Sequence, residues 1–220
     1  MLRTTALSGN VSDVCPVGAL TKKVVRFKAR PWELTARASL GYHDALGSNL
    51  FHHVRRGEIL RSVPRDNEAV NECWLSDRDR YAHEGLYAED RATVPLIRVG
   101  EGFREASWEE ALAKTAHILR QNGGDNLGVL VHPSTSNEEG ALLARLAEAL
   151  GTGNLDHRIS QRDLSDGAVA EPFAMPVEDI EQADAIVIVG SQLRFELPLL
   201  HQRVRKAWMR GARVHVVNPV

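Results

Sequence analysis

Cysteine is scarce in this chain. Only Cys15 and Cys73 among its 220 residues carry thiols, too few for a disulfide framework, and a reducing compartment is the default expectation. Long apolar runs are missing too: nothing approaches the roughly 18 consecutive apolar residues of a membrane-spanning helix. The opening residues MLRTTALSGN lack the apolar centre of a secretory signal. Neither sign of charge dominates, since 27 Lys and Arg stand against 29 Asp and Glu. That balance leaves no footprint for nucleic acid or an anionic membrane. The sequence has no G-x-G-x-x-G and no P-loop, so it lacks the usual phosphate-cradling loops. No spacing of Ser, His and Asp, or of Cys and His, points to nucleophilic catalysis, and no catalytic residue is assigned. What is present is ordinary hydrophobic content, 43%, in a chain long enough for a core in one or two domains.

The most informative stretch is SGNVSDVCPVGALT, residues 8 to 21. A thiolate at Cys15 can ligate iron. Pro16 fixes φ and removes a backbone donor, which sends the chain away in a set direction, and Gly18 permits a tight turn. The other reading of Cys15 is a small buried hydrophobe. No C-x-x-C-x-x-C precedes it, so any companion ligands are missing here. The expectation is a fragment, or a relic site.

Three zones follow along the chain. Residues 1–33 form the tail of one module, with a basic run from Lys22 to Arg30 whose interleaved Val24, Val25 and Phe27 suggest a strand face. Residues 34–90 are rich in polar residues and Gly, with short apolar runs such as Glu58 to Val63 that suit small strands joined by turns. From about residue 105 helices and buried strands alternate. Ser107 with Glu110, and Ser136 with Glu139, read as capping boxes. The first opens a helix whose face is Trp108, Ala111, Leu112, Thr115, Ala116 and Leu119, and Gly123-Gly124 stops it. The second helix presents Leu142, Leu143, Leu146, Ala147 and Leu150 before Gly151. Leu127 to Val131, Ala185 to Val189 and Arg213 to Val217 read as strands, with a helix bearing Leu197, Leu200, Val204 and Trp208 between the last two. This alternation predicts a right-handed βαβ unit in a parallel sheet. The sheet is expected to continue past Val220, leaving an exposed edge there and a fold cut off at both ends. The loop Gly190-Ser191-Gln192 stands where open α/β sheets bind ligands, or is a plain strand-to-helix turn.

The stretch SGNVSDVCPVGALTKKVVRFKARPWEL closely resembles one segment of the G subunit of respiratory complex I, the large iron–sulfur subunit of NADH–quinone oxidoreductase. The resemblance implies that Cys15 is the last ligand of a [4Fe–4S] cluster. Residues 182 to 218 look like the molybdopterin-oxidoreductase type of domain, whose complex I versions are not known to use the pterin. The implied fold is α/β (α+β overall). It comprises the end of a ferredoxin-like module (1–33), a small β-rich degenerate 4Fe-4S Mo/W bis-MGD-type domain (34–90) and an incomplete Rossmann-like parallel α/β domain (91–220).

Relatives with a second cluster carry C-x-x-C-x-x-x-C and a further cysteine before Asp-Arg. Matched to those patterns, the four ligand positions fall on Gly41, Asp44, Ser48 and Ser76, none of which supplies a thiolate. The resemblance thus implies that this cluster is lost and that no molybdopterin binds. Cys73 matches no ligand position and reads as a packed thiol. His43, His52 and His53 follow no zinc spacing and read as solvated or hydrogen-bonded. The implied function is electron transfer from NADH toward quinone, beside other peripheral-arm subunits including the NADH/flavin subunit. Neither nucleic acid nor direct membrane insertion is expected, and the place is the cytoplasmic side of a bacterial inner membrane, held there through the complex. The competing functions are a molybdopterin-dependent oxidoreductase, which would need the missing cysteines, and a redox-silent scaffold.

Overall fold

The computed structural model describes residues 5–157 and 175–218. The expected sheet edge at Val220 lies outside the described residues. The chain divides into two compact units, Met1–Ala88 with Ala170–Val220, and Glu89–Val169.

In the first unit, α1 (Asn10–Val14) is a single turn ending at Cys15. The basic run that follows is not a strand. Val25 N bonds Lys22 O, and Lys28 N bonds Val25 O at 3.0 Å, so successive turns replace the extended chain. Phe27 takes φ +66° and points into solvent. Next comes an antiparallel meander of β1 (Thr35–Leu40), β2 (Asn49–Arg55) and β3 (Glu58–Pro64). Leu40 pairs with Asn49 across one end, and Leu50 with Pro64 across the other pair. A register shift at His53/Val54 kinks the second pair. The helix α2 (Asp77–Tyr81) packs on β3.

The C-terminal part of this unit is a parallel pair, β8 (Ala185–Val189) and β9 (Arg213–Val217), labelled for their order in the whole chain. Two helices join them, α5 (Leu193–Glu196) and α6 (Pro198–Met209). Both strands coincide with the sequence expectation. The helix splits because Pro198 starts a new first turn, the position where a missing N–H costs nothing. Its buried stripe is Leu199, Arg203, Val204 and Ala207, with Trp208 left exposed, so the expected face is rotated by about one residue.

The second unit starts with a hairpin, β4 (Leu96–Val99) and β5 (Gly102–Glu105). The helix α3 (Trp108–Gln121) follows, then β6 (Val129–Leu130), α4 (Asn137–Ala149) and β7 (Leu155–Asp156), with β6 and β7 parallel. Ser136 and Glu139 form the full reciprocal capping box. Ser107 caps α3 by accepting from Glu110 N at 3.2 Å, but the Glu110 carboxylate pairs with Arg104 instead of returning to Ser107. The expected strand at Leu127–Val131 shrinks to two residues. A layer that narrow covers only part of each helix within the unit: Ala147 is buried, while Trp108, Leu112 and Leu142 stay exposed.

Candidate functional site

The Cys15 loop is built by local chemistry. Cys15 caps the end of α1, and Gly18, at φ +64°, turns the chain so that its N–H meets Cys15 O at 3.3 Å. The backbone that follows favours the ionised sulfur. Leu20 contributes most, and Ala19, Val17 and Gly18 add to it; partial burial opposes them, and the net effect holds the thiol below its ordinary pKa. N–H donors aimed at sulfur stabilise the thiolate, the form that binds iron. The residues of this loop therefore fit a cluster ligand. Among the described residues no group of three His, Cys, Asp or Glu could hold a metal ion by itself.

This loop is tied to α2 through polar side chains. Asp77 accepts from Gly9 N at 2.7 Å and from the Ser8 hydroxyl. Asn10 makes two bonds to one residue, donating to Leu75 O at 2.8 Å and accepting from Leu75 N at 3.0 Å. Arg80, fully buried, donates to Asn10 Oδ1 at 2.6 Å and to the Asp13 carboxylate. Lys22 reaches Asp13 at 2.8 Å.

The four positions matched to a second cluster do come together, around a residue that sequence reasoning missed. Ser76 caps α2, accepting from Asp79 N at 3.2 Å and donating to Asp79 Oδ2 at 3.1 Å. A Cβ at Gly41 would lie 2.5 Å from Asp79 Oδ2. Gly41 N donates to Ser48 O at 2.7 Å, and Ser48 is buried with its hydroxyl unpartnered. Asp44 accepts from Leu46 N at 3.0 Å. Burial raises the pKa of Asp44, and burial followed by the nearby Asp44 charge raises that of Asp79. A cavity of about 160 Å³ adjoins Asp79, edged by His43, His52 and His83. A [4Fe–4S] cluster does not fit this donor set: Gly41 has no side chain and Asp79 fills the space one would need, Ser48 and Ser76 are hydroxyls, and Asp44 alone cannot hold a cluster. The S-x-x-D spacing from Ser76 to Asp79 is a helix-cap signature that would have found Asp79.

The remaining candidates fall out simply. Cys73 is exposed, not packed, because Glu72 at φ +51° turns Asn71 inward and leaves the next side chain outside. Its thiol is pushed up by partial burial and by the carboxylates of Asp66, Glu72 and Glu68. His52 bonds the Ser62 hydroxyl at 2.9 Å, and His53 accepts from Arg61 at 2.8 Å. His43 stacks on Tyr42 with its Nε2 buried and unpartnered.

The loop after β8 lies beside a cavity of about 470 Å³ that includes Arg205, Trp208 and Asn218. Its donors are occupied. Ser191 Oγ donates to Glu196 at 2.6 Å and Gln192 N donates to the same carboxylate at 3.2 Å, which keeps Glu196 below its ordinary pKa. Glu196 takes the loop donors that an anionic pyrophosphate would need, so the loop as it stands does not fit a pterin dinucleotide.

Residues 91–220 match the molybdopterin oxidoreductase family, well over half of the sequence, and the chain belongs to that family. Residues 35–84 match a second family, the NADH-ubiquinone oxidoreductase NDSU1/NuoG-like 4Fe-4S domain. Curated relatives carry the name of the second. The chain is 40% identical over 212 residues to the mitochondrial NADH-ubiquinone oxidoreductase 78 kDa subunit of Candida albicans, covering 93% of the chain and 29% of that protein. The corresponding Neurospora crassa subunit is 39% identical, with 93% and 28% covered. The G subunit of the Rickettsia felis NADH-quinone oxidoreductase is 37% identical over 215 residues, with 94% and 32% covered. The chain thus spans about a third or less of the relatives' length. The resemblance read from residues 8 to 34 and 182 to 218 leads to these same proteins. No helix among the described residues is long and apolar enough to cross a membrane.

Proposed function

We propose that this chain is the part of a complex I G subunit in which Cys15 supplies one ligand of a [4Fe–4S] cluster on the path from NADH to quinone. The observation that carries this reading is Cys15 itself, part-exposed at the end of α1, in a chain 40% identical over 93% of its length to a complex I subunit. Such a cluster, when bound, accepts and passes on one electron at a time. The chain's own contribution is to hold the thiolate, donate N–H bonds to it, and set the direction of the backbone at Pro16 and Gly18. The remaining thiolates lie outside these 220 residues, since Cys73 is exposed and matches no ligand position.

Residues 34–90 and 91–220 act as redox-silent scaffold. Asp79 at the vacated ligand positions and Glu196 at the loop after β8 both support that reading. The division into 1–33, 34–90 and 91–220 belongs to the same proposal. So do the partners, the peripheral-arm subunits including the one that carries flavin, and a place on the cytoplasmic side of a bacterial inner membrane. The test is made in the assembled enzyme, by electron paramagnetic resonance. Cys15→Ser should remove one cluster signal and lower quinone reduction, because a hydroxyl stays protonated where a thiol ionises. Cys73→Ser should change neither. Equal losses in the two variants would overturn the assignment.

A further inference from the structure

We propose that Arg80 is a positioning residue for the cluster ligand, acting through α1 on the loop that carries Cys15. The inference rests on Cys15 being a ligand, as argued above.

The helix that delivers Cys15 is one turn long, five residues. A helix so short does not hold itself, since isolated helices below ~12 residues are marginal in water. Its place must therefore come from its anchors, and those anchors converge on Arg80. The side chain is 1% exposed, and a buried cation persists only where partners compensate it. Its two terminal nitrogens take different residues of α1. One donates to Asn10 Oδ1 at 2.6 Å and the other to the Asp13 carboxylate. Residues 10 and 13 stand three apart, on one face of a helix, so the guanidinium spans the turn along its length. The second partner closes the loop from its far side, because Asp13 also receives Lys22 at 2.8 Å. The ligand loop from Cys15 to Thr21 is thus pinned at Asp13 before it and at Lys22 after it.

The approach is tight. A Cβ on Gly9 would sit 2.4 Å from Arg80 Cδ, so α1 can lie this close only with glycine before it. Cys15 follows Asp13 by two residues, at most about 7 Å of chain. A shift at Asp13 is therefore delivered almost undiminished to the sulfur. Lysine cannot replace the arginine: it has a single point of charge, and the planar fork is what reaches two acceptors at once.

The test uses the assembled enzyme and measures the cluster itself. Iron release to a ferrous chelator and the line shape of the Cys15-dependent resonance are recorded for Arg80→Lys and Asp13→Asn. Removing partners that orient metal ligands typically costs about 10- to 100-fold in metal affinity. Arg80→Lys should speed iron release by about tenfold and alter that resonance alone. Asp13→Asn keeps the shape of a side chain nearer the surface, and should shift both readouts in the same direction by a smaller factor. It decides the matter if Arg80→Lys does not assemble. Wild-type release and line shape in the assembled variants would overturn the proposal, whatever happens to the melting temperature. Cys15→Ser runs beside them: if it leaves every cluster signal in place, the ligand reading fails, and the positioning role with it.

Discussion

At the scale of single residues, Asp79 decides what the vacated site is. Its carboxylate is 2% exposed and is held by the Ser76 hydroxyl, so it cannot swing aside for a new neighbour. Gly41→Cys therefore should not restore a ligand. It should overpack the site and cost about 1–3 kcal/mol, seen as a lower melting temperature with no gain of iron. Adding Asp79→Ser should recover most of that loss. The same carboxyl makes a pH prediction. Its folded pKa is raised above the unfolded value, near ~3.9, by burial and by Asp44. The charged form is thus penalised in the folded state. The penalty is absent below the unfolded pKa, grows as pH rises from there to the folded one, and is full above it. Asp79→Asn should flatten this part of the pH profile of melting and match wild type at the acid end. An unchanged profile would refute the burial argument. Residues of this kind were half legible. Gly41, Ser48 and Ser76 read as failed ligands only once the family resemblance assigns them to ligand positions. What fills their place is a contact between a loop and a helix 38 residues later, and spacing alone does not reveal such a contact.

At the scale of elements, the caps were the clearest signals and also show where local reading stops. Ser136 and Glu139 bond each other's backbone as the pattern implies. Ser136→Ala should cost about 1 kcal/mol, measured by chemical denaturation, and Glu139→Ala should lose part of the same amount. Glu110 has the same spacing from Ser107, yet it turns to Arg104 on the preceding strand. The effect of Glu110→Ala should therefore shrink as salt is added, since both partners are half exposed and screened, whereas that of Ser136→Ala should not. Strands Ala185–Val189 and Arg213–Val217 were legible because β-branched runs between glycines leave few alternatives. The run from Lys22 to Arg30 was misread because alternation alone does not make a strand. Without a neighbour to pair with, the backbone satisfied its own groups in turns.

At the scale of the whole molecule, unit 1 joins segments far apart in sequence, and Arg203 makes the join. It is 4% exposed, pairs with Glu181 at 2.8 Å, and donates to the carbonyls of Glu68 and Val70. Lys206 adds Glu72 at 2.7 Å and Glu181 at 3.0 Å. Arg203→Ala would leave the Glu181 carboxylate to Lys206 alone and the carbonyls of Glu68 and Val70 without their donor, a loss of about 1–3 kcal/mol. It should also split the unfolding of this unit into two steps, resolved by limited proteolysis around residues 65 to 75. One cooperative step would argue that the apolar contacts of Leu199 and Ala207 suffice. None of this was visible beforehand, because a single arginine on a helix reads as a solvated face until its partner carbonyls are known.

That join also sets a schedule for synthesis. Arg203 lies 135 residues after Glu68 and 133 after Val70. At the ~5–20 residues per second of a ribosome, the carbonyls in the turn wait on the order of ten seconds for their donor. Unit 2 is made in that interval, and its strand–helix–strand run has all its own pieces close at hand. The N-terminal meander, by contrast, must leave the ribosome with Glu68, Val70 and Glu72 still waiting for their cations. Until α6 arrives, the half-built unit is the part of this protein most in need of a chaperone.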